Sequence, residues 1–150
     1  MAGSYTNILM HLVFSTKNRT PWITPELKPR LFQYIGGTVR KLKASLLEIG
    51  GPADHLHLLV RMHQDKATAD LLRDLKSASS GWVHDTFPAL KDFAWQDGYG
   101  AFSVSHSQSL RVREYIASQE THHRRRDFQT EFLAFLKAHE IEYDERYIWR

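Results

Sequence analysis

Two histidines separated by one residue, His55 and His57, are side chains whose types and spacing suggest metal chemistry. They lie in residues 52–61, whose apolar run predicts a β-strand. Successive side chains of a strand point to opposite faces. His55 and His57 therefore share one face, while Leu56 points to the other. Two neutral imidazoles side by side can hold a divalent metal ion. The alternative is a half-buried strand whose polar face carries histidines that bind no metal.

Tyr115 and Gln119 form a second candidate group, because a spacing of four residues makes them neighbours on a helix. A phenol has a reference pKa of about 10, so a catalytic tyrosine needs a metal ion or a base nearby. The Gln119 carboxamide could supply a third, neutral metal ligand. The ion's charge would then remain available to polarise a phosphate diester. The alternative for Tyr115 is an ordinary helix residue that packs on a sheet.

Composition limits the classes of protein that these residues can belong to. At 150 residues, 42% hydrophobic and 25% charged, the sequence predicts one globular domain over residues 1–150. The formal charge of +3 with nine histidines permits a polyanionic partner without requiring one. The chain has no cysteine, which excludes disulfides, zinc–thiolate sites and thiol catalysis. With no signal sequence and no long apolar run, we expect a soluble, cytoplasmic protein.

Hydrophobic periodicity predicts the elements that must position these residues. A strand over Tyr5–Ser15 precedes a helix that Thr24 caps and that runs to about Lys43. Later elements are a short strand near 46–49, the histidine strand, a helix from Thr68, a strand ending at Ser105, a helix over 109–123 and a last helix. The last helix has an apolar stripe at Phe128, Phe132, Phe135 and Leu136, which we interpret as core or dimer contact. This order predicts an α+β, ferredoxin-like fold, with an antiparallel sheet covered by helices on one face. The tyrosine-bearing helix and a terminal helix are additions to that plan.

Several short blocks, taken together in their order and spacing, resemble a known family. They are residues 14–19, 54–60, 75–76, 95–105, Tyr115-Ile116 with Gln119, His122-His123 and the closing segment 142–149. In these blocks the chain is similar to the HUH-class single-tyrosine transposases. These form the insertion-sequence-200-like family of small bacterial mobile elements and their domesticated, REP-associated relatives. The resemblance implies a metal-dependent enzyme that acts on single-stranded DNA.

The resemblance also implies roles for particular residues. His55, His57 and Gln119 would hold a divalent ion, Mg²⁺ or Mn²⁺, and Tyr115 would attack the scissile phosphate to form a 5′-phosphotyrosine link. A later 3′-hydroxyl would reverse that step without a nucleotide triphosphate. Asp54 would support the first histidine. Relatives usually work as homodimers and recognise hairpins near the ends of the element.

Basic residues around the tyrosine helix are candidates for phosphate contacts, which give salt-sensitive DNA affinity without reading the base sequence. The candidates are Arg111, Arg113, Arg124, Arg125 and Arg126, with Lys17, Arg19 and Lys76 as weaker ones. His122 and His123 could act as acid, base or ligand, and Trp95 and Tyr99 could stack on unpaired bases. For the arginine run the alternative is a solvated helix end, and for Trp95 it is the core.

Two other function classes remain open at this point. A non-catalytic single-stranded nucleic-acid binder on the same fold would bind DNA without Tyr115 and would never form a covalent adduct. A metal-dependent phosphoesterase that uses water would keep its hydrolytic activity in Tyr115→Phe. The phosphoesterase is less well supported, because the sequence has no set of acidic residues with obvious metal-ligand spacing.

Overall fold

A computed structural model describes residues 3–119 and 127–150. Its antiparallel sheet has four strands in the order β2-β3-β1-β4, where β1 is Ile8–Ser15, β2 Ser45–Gly50, β3 His55–Met62 and β4 Gly100–Val104. The helices are α1 (Leu27–Lys41), α2 (Thr68–Thr86), α3 (Ser109–Ala117) and α4 (Phe128–Ala138). This is the ferredoxin-like order of elements, so the predicted fold class is confirmed.

Two helix ends differ from the sequence-based prediction. The first helix begins at Leu27 rather than directly after Thr24, although the Thr24 hydroxyl still accepts a hydrogen bond from the Leu27 amide at 3.2 Å. The tyrosine helix α3 ends at Ala117, whereas the prediction extended it to His123, which lies outside the described residues. The hydroxyl of Ser118 donates to the Glu114 carbonyl at 2.9 Å, and such local side-chain bonds compete with continued helix.

One face of the sheet packs against α1 and α2. Side chains at even positions of β1 and β3 point to this face, and Leu12, Phe14, Leu56 and Leu58 are fully buried there. The helices contribute the apolar stripes that the sequence predicts, including Leu31 and Ile35 of α1 and Leu71 and Leu75 of α2. Burial of this apolar surface is the main term that stabilises the fold.

The opposite face is also covered, by the two helices that the prediction added to the ferredoxin-like plan without assigning them to a face. Ile116 of α3 packs on Leu9 and Leu59, and α4 packs its phenylalanines on Val13 and Phe102. Strand residues at odd positions therefore lie between the sheet and this second pair of helices. His55 and His57 belong to that set.

Glycines make the turn from β2 to β3 and let α3 approach closely. Gly51 has φ of 151°, a conformation that L side chains rarely adopt, and a Cβ there would overlap the carbonyl oxygen of His55. A Cβ at Gly50 would overlap the carbonyl oxygen of Ile116. Gly50 also pairs with His57 in the sheet, so α3 rests directly on the histidine-bearing part of the sheet.

None of the helices in the described parts of the chain combines the length and apolar character that crossing a membrane requires.

Candidate active site

Strand β3 presents both histidines to the face covered by α3 and α4. His55 pairs with Ser15 and His57 with Val13 of β1, and both imidazoles are fully buried. Their ring centroids lie 5.1 Å apart. The predicted strand and its shared histidine face are therefore both present in the structure.

Helix α3 places Tyr115 over this pair. Its ring centroid lies 5.8 Å from that of His57, with the two planes nearly perpendicular at 79°. Ile116, the next residue, is buried against Leu9 and Leu59, which fixes the rotation of the helix about its axis. Tyrosine and histidines of one chain therefore meet in a single site.

Helix α4 brings in a carboxylate, Glu131, that is only 2% exposed. Its Oε1 lies 2.9 Å from Nε2 of His57 and 3.2 Å from Nε2 of His55. Its other oxygen, Oε2, accepts a hydrogen bond from the Tyr115 hydroxyl. Asp127 fixes the start of this helix by accepting a hydrogen bond from the Thr130 amide at 2.8 Å. One buried carboxylate thus joins both histidines and the phenol.

The Nδ1 atom of His55 is held by Asp54, whose Oδ1 lies 2.7 Å away. Burial alone would lower the pKa of His55, but the hydrogen bonds and charges of Asp54 and Glu131 outweigh burial, and the pKa is raised from its ordinary value. With Nδ1 bound to Asp54, Nε2 of His55 faces Glu131 and the interior of the site. This position of Asp54 fits the supporting role that the family resemblance implies.

The second histidine has a partner that the sequence-based predictions missed, His11 of β1. Nε2 of His11 lies 2.8 Å from Nδ1 of His57, and His11 is only 3% exposed. Burial and the neighbouring His57 lower the pKa of His11 to about 3, so the ring is neutral near pH 7. The available signal was a histidine at an odd position of a strand whose neighbours are apolar.

Gln119 is buried beside the C-terminal end of α3. It is 1% exposed, and its Nε2 donates to the Tyr115 carbonyl at 3.3 Å. Its Oε1 is buried and has no hydrogen-bond partner among residues 3–119 and 127–150. A buried carboxamide oxygen without a partner costs free energy unless something else binds it. The Gln119 oxygen is therefore available to coordinate a metal ion.

The arrangement has a donor set that fits a divalent metal ion. One ligand atom from each of His55, His57 and Glu131 lies within 4.8 Å of the others. Carboxylate and carboxamide oxygens are the ligand types that Mg²⁺ and Mn²⁺ take, and imidazole nitrogen adds affinity for transition ions. Glu131 was missed because its helix was interpreted as core or dimer contact. The signal was an acidic residue inside the apolar stripe, three residues after Phe128 and four before Phe135.

Among residues 3–119 and 127–150, the predicted DNA-contacting residues lie around this site rather than within it. Arg111 is exposed and lines a cleft together with Tyr115. Nε of Arg113 lies 3.8 Å from Oε2 of Glu48. Lys17 and Arg19 occupy a 3₁₀ turn directly after β1, where Lys17 pairs with Asp97 at 3.6 Å. His122, His123, Arg124, Arg125 and Arg126 lie outside the described residues.

Lys76 lies in a different environment, on α2. Its ammonium donates to the carbonyl oxygens of Gln96 and Gly98, and burial lowers its pKa to about 8. It therefore holds the loop before β4, and its contact with DNA stays a prediction.

Trp95 belongs to the core, with 6% exposure and an indole N–H that donates to Ser79 at 2.9 Å. Tyr99 is 38% exposed and packs against Lys76.

We expect His11→Leu to weaken Mn²⁺ binding on the order of 10–100-fold, the usual effect of losing a partner that orients a metal-ligating histidine. When Nε2 of His57 binds a metal, Nδ1 carries the proton and donates it to His11, and leucine cannot accept it. His11→Gln, which keeps an acceptor, should recover part of the affinity.

Calorimetric titration of each variant with Mn²⁺ measures this effect, with His106→Leu as the control at an exposed histidine. Equal Mn²⁺ affinities for His11→Leu and the unaltered protein would show that His11 does not orient His57.

Comparisons with known proteins identify chains of similar sequence and fold. The ISDra2 transposase TnpA of Deinococcus radiodurans is 25% identical over 114 residues, which make up 73% of this chain and 81% of that protein. The crystal structure of a candidate transposase from Deinococcus radiodurans R1 has a TM-score of 0.67 at 23% identity, over 79% of this chain and 95% of that one. A REP-associated tyrosine transposase bound to a REP hairpin has a TM-score of 0.61 at 16% identity, over 82% of this chain and 73% of that one.

A model of the family described as IS200-like transposases matches residues 4–119. The matched range includes the histidine strand, the tyrosine helix and Gln119, and it ends before the helix that carries Glu131. Because the match spans most of the sequence, the chain belongs to the IS200-like transposase family.

Proposed function

We propose that this transposase cleaves and rejoins single-stranded DNA through a covalent link to Tyr115, with a divalent metal ion in the site. The observation that carries the proposal is the convergence of Tyr115, His55 and His57 on the one carboxylate of Glu131. A tyrosine nucleophile is activated by an adjacent base or by a metal ion, and Glu131 and the two imidazoles supply candidates for both.

In the cleavage step the phenolic oxygen of Tyr115 attacks the scissile phosphorus. The new O–P bond forms as the bond from phosphorus to the 3′-oxygen breaks, which leaves a 5′-phosphotyrosine and a free 3′-end. Glu131 Oε2 already accepts the hydrogen bond from the Tyr115 hydroxyl and is placed to take its proton. The departing 3′-oxygen takes a proton from water and becomes a hydroxyl. Attack by a 3′-hydroxyl on the phosphotyrosine reverses each of these changes.

The residues that would hold the ion are His55, His57 and Glu131, with the Gln119 carboxamide oxygen as a further donor. When bound, Mg²⁺ or Mn²⁺ supplies Lewis-acid polarisation of the phosphate. Asp54 and His11 orient the two imidazoles through their Nδ1 atoms, so that both Nε2 atoms point inward. Such outer partners hold ligands in one tautomer and one orientation.

Two observations support single-stranded DNA as the partner: basic residues near the site and the similarity in fold to a transposase bound to DNA. Arg111 is exposed at the mouth of the site, and Lys17 and Arg19 lie in the turn after Ser15, the strand neighbour of His55. These cations can bind backbone phosphates on two sides of Tyr115. A relative of similar fold is bound to a REP hairpin, which supports a hairpin-forming single strand as substrate. A homodimer belongs to the same proposal through the family resemblance, with each active site built within one chain.

The test is to incubate the protein with Mn²⁺ and single-stranded DNA from the flanks of its own gene, and to separate the products under denaturing conditions. We expect a covalent protein–DNA band that disappears when EDTA removes the metal. Cleaved DNA without a covalent band would indicate a phosphoesterase that uses water. Retarded DNA on a native gel, with neither cleavage nor adduct, would indicate a non-catalytic binder.

A further inference from the structure

A cleft of about 330 Å³ lies between α3 and α4. Tyr115 and Val112 line it on the α3 side, and Ala134 and Phe135 on the α4 side. His11 also lines it, from the sheet. The cleft therefore adjoins the candidate active site and includes the proposed nucleophile in its lining.

From this position we propose that the cleft binds the unpaired base of the nucleotide next to the scissile phosphate. The inference rests on the proposed function, because it requires single-stranded DNA at Tyr115. A phosphate in reach of the phenolic oxygen leaves the neighbouring nucleotide beside the cleft. The size of the cleft lies within the range of ordinary small-molecule pockets and exceeds that of one base.

Aromatic rings supply the surfaces on which a base can stack. Phe135 lies with its ring centroid 5.1 Å from that of His11 and 5.9 Å from that of Tyr115, nearly perpendicular to both. One side of Phe135 is stacked on Phe102 at 5.2 Å, which holds the ring in place. Stacking of bases on fixed aromatic side chains is the usual way in which proteins bind unpaired nucleotides.

The lining of the cleft favours a base inside it and a phosphate at its edge. The walls contributed by Val112 and Ala134 are apolar. A phosphate inside the cleft would therefore lose hydration against these walls, whereas a base would not. Arg111 borders the cleft and is exposed, so it can bind the backbone phosphate of the nucleotide whose base enters.

A helix from a second copy of the chain is the competing occupant of an apolar cleft. Such a helix would cover the Tyr115 side chain, because Tyr115 lines the cleft. It would then close the nucleophile off from any phosphate. An occupant that is part of the substrate has no such conflict, which favours the base.

The test uses a twelve-nucleotide oligothymidylate with a fluorescent label and measures its affinity by anisotropy in the presence of Mn²⁺. Ala134 is exposed on α4, so Ala134→Phe should fold normally while its ring fills the cleft. We expect it to bind the probe about tenfold more weakly, the usual effect of losing one stacked base. Ala89→Phe, an exposed alanine outside the cleft, is the matched control and should bind as the unaltered protein does.

A second measurement locates the base directly. A 5-iodouracil in the same probe is photocrosslinked to the protein, and the linked peptide is identified by mass spectrometry. Crosslinks to Phe135 or His11 are expected. Crosslinks confined to other residues, equal affinities for Ala134→Phe and the control, or no binding of the probe would each overturn the inference. The adduct experiment is independent of these outcomes, so covalent cleavage can succeed while base binding in the cleft fails.

Discussion

Tyr115→Phe is expected to eliminate the covalent protein–DNA band, with a loss of cleavage rate on the order of 10³-fold or more, as follows from removing the nucleophile of a covalent mechanism. Phenylalanine keeps the ring beside His57 and Phe135 and removes only the hydroxyl that donates to Glu131. Binding of single-stranded DNA should therefore change little. Denaturing electrophoresis of the reaction with labelled DNA and Mn²⁺ measures the adduct, and anisotropy measures binding.

Tyr147→Phe is the matched control, because Tyr147 is 51% exposed and its hydroxyl has no part in the site. Its adduct should form at the rate of the unaltered protein. A covalent band that survives in Tyr115→Phe would assign the nucleophile to another residue. Cleavage that survives without a band would leave water as the nucleophile and the histidines as a phosphoesterase site.

Replacing the buried carboxylate is expected to have the second large effect. Glu131→Gln keeps the size and one oxygen of the side chain but removes the negative charge that faces both histidines. Loss of a partner that only orients a metal ligand costs 10–100-fold in affinity, so loss of a direct ligand should weaken Mn²⁺ binding by at least about tenfold. Adduct formation should fall as well, because the carboxamide is a poor acceptor for the Tyr115 proton.

Calorimetry with Mn²⁺ and the adduct assay separate these two effects. At saturating Mn²⁺ the metal defect is overcome, and any remaining loss of adduct measures the contribution of Glu131 to proton transfer. Glu142→Gln, at an exposed position, serves as the control. Unchanged Mn²⁺ affinity in Glu131→Gln would show that the carboxylate is not a ligand. Tighter Mn²⁺ binding would show that Glu131 competes with the metal for His55 and His57.

Local pattern was sufficient to predict most of the fold. The period of two in the strand that carries His55 and His57 predicted their common face, because side-chain alternation depends only on the backbone of that strand. The spacing of Tyr115 and Gln119 likewise predicted that the two residues are neighbours, although α3 ends at Ala117 and Gln119 lies just beyond it. The order of strands and helices predicted the ferredoxin-like sheet.

The parts of the site that were missed depend on contacts between distant elements. His11 reaches His57 because β1 and β3 pair in the register that sets His11 opposite Leu59 and Val13 opposite His57. Within β1 alone, His11 is only a polar residue on an otherwise apolar strand. Diagonal neighbours of this kind appear only when the register of two strands is known.

Glu131 is a stronger example, because its place in the site depends on how α4 packs. The apolar stripe of that helix identified the buried face, with Phe128, Phe132 and Leu136 in the core as predicted. It could not show which part of the sheet the face would cover. Only packing on Val13 and Phe102 carries the carboxylate to the histidines.

Gly50 affects how closely the tyrosine helix approaches the sheet. Its backbone lies against the Ile116 carbonyl, one residue from the nucleophile, and it pairs with His57 on the neighbouring strand. The absence of a side chain at Gly50 therefore lets the helix that carries Tyr115 lie directly against the sheet that carries the two histidines. A relative that carries a larger residue at this position would need a compensating shift of its whole tyrosine helix. Gly50, which has no side chain, therefore sets the distance between Tyr115 and the two histidines, across which a phosphate must be held.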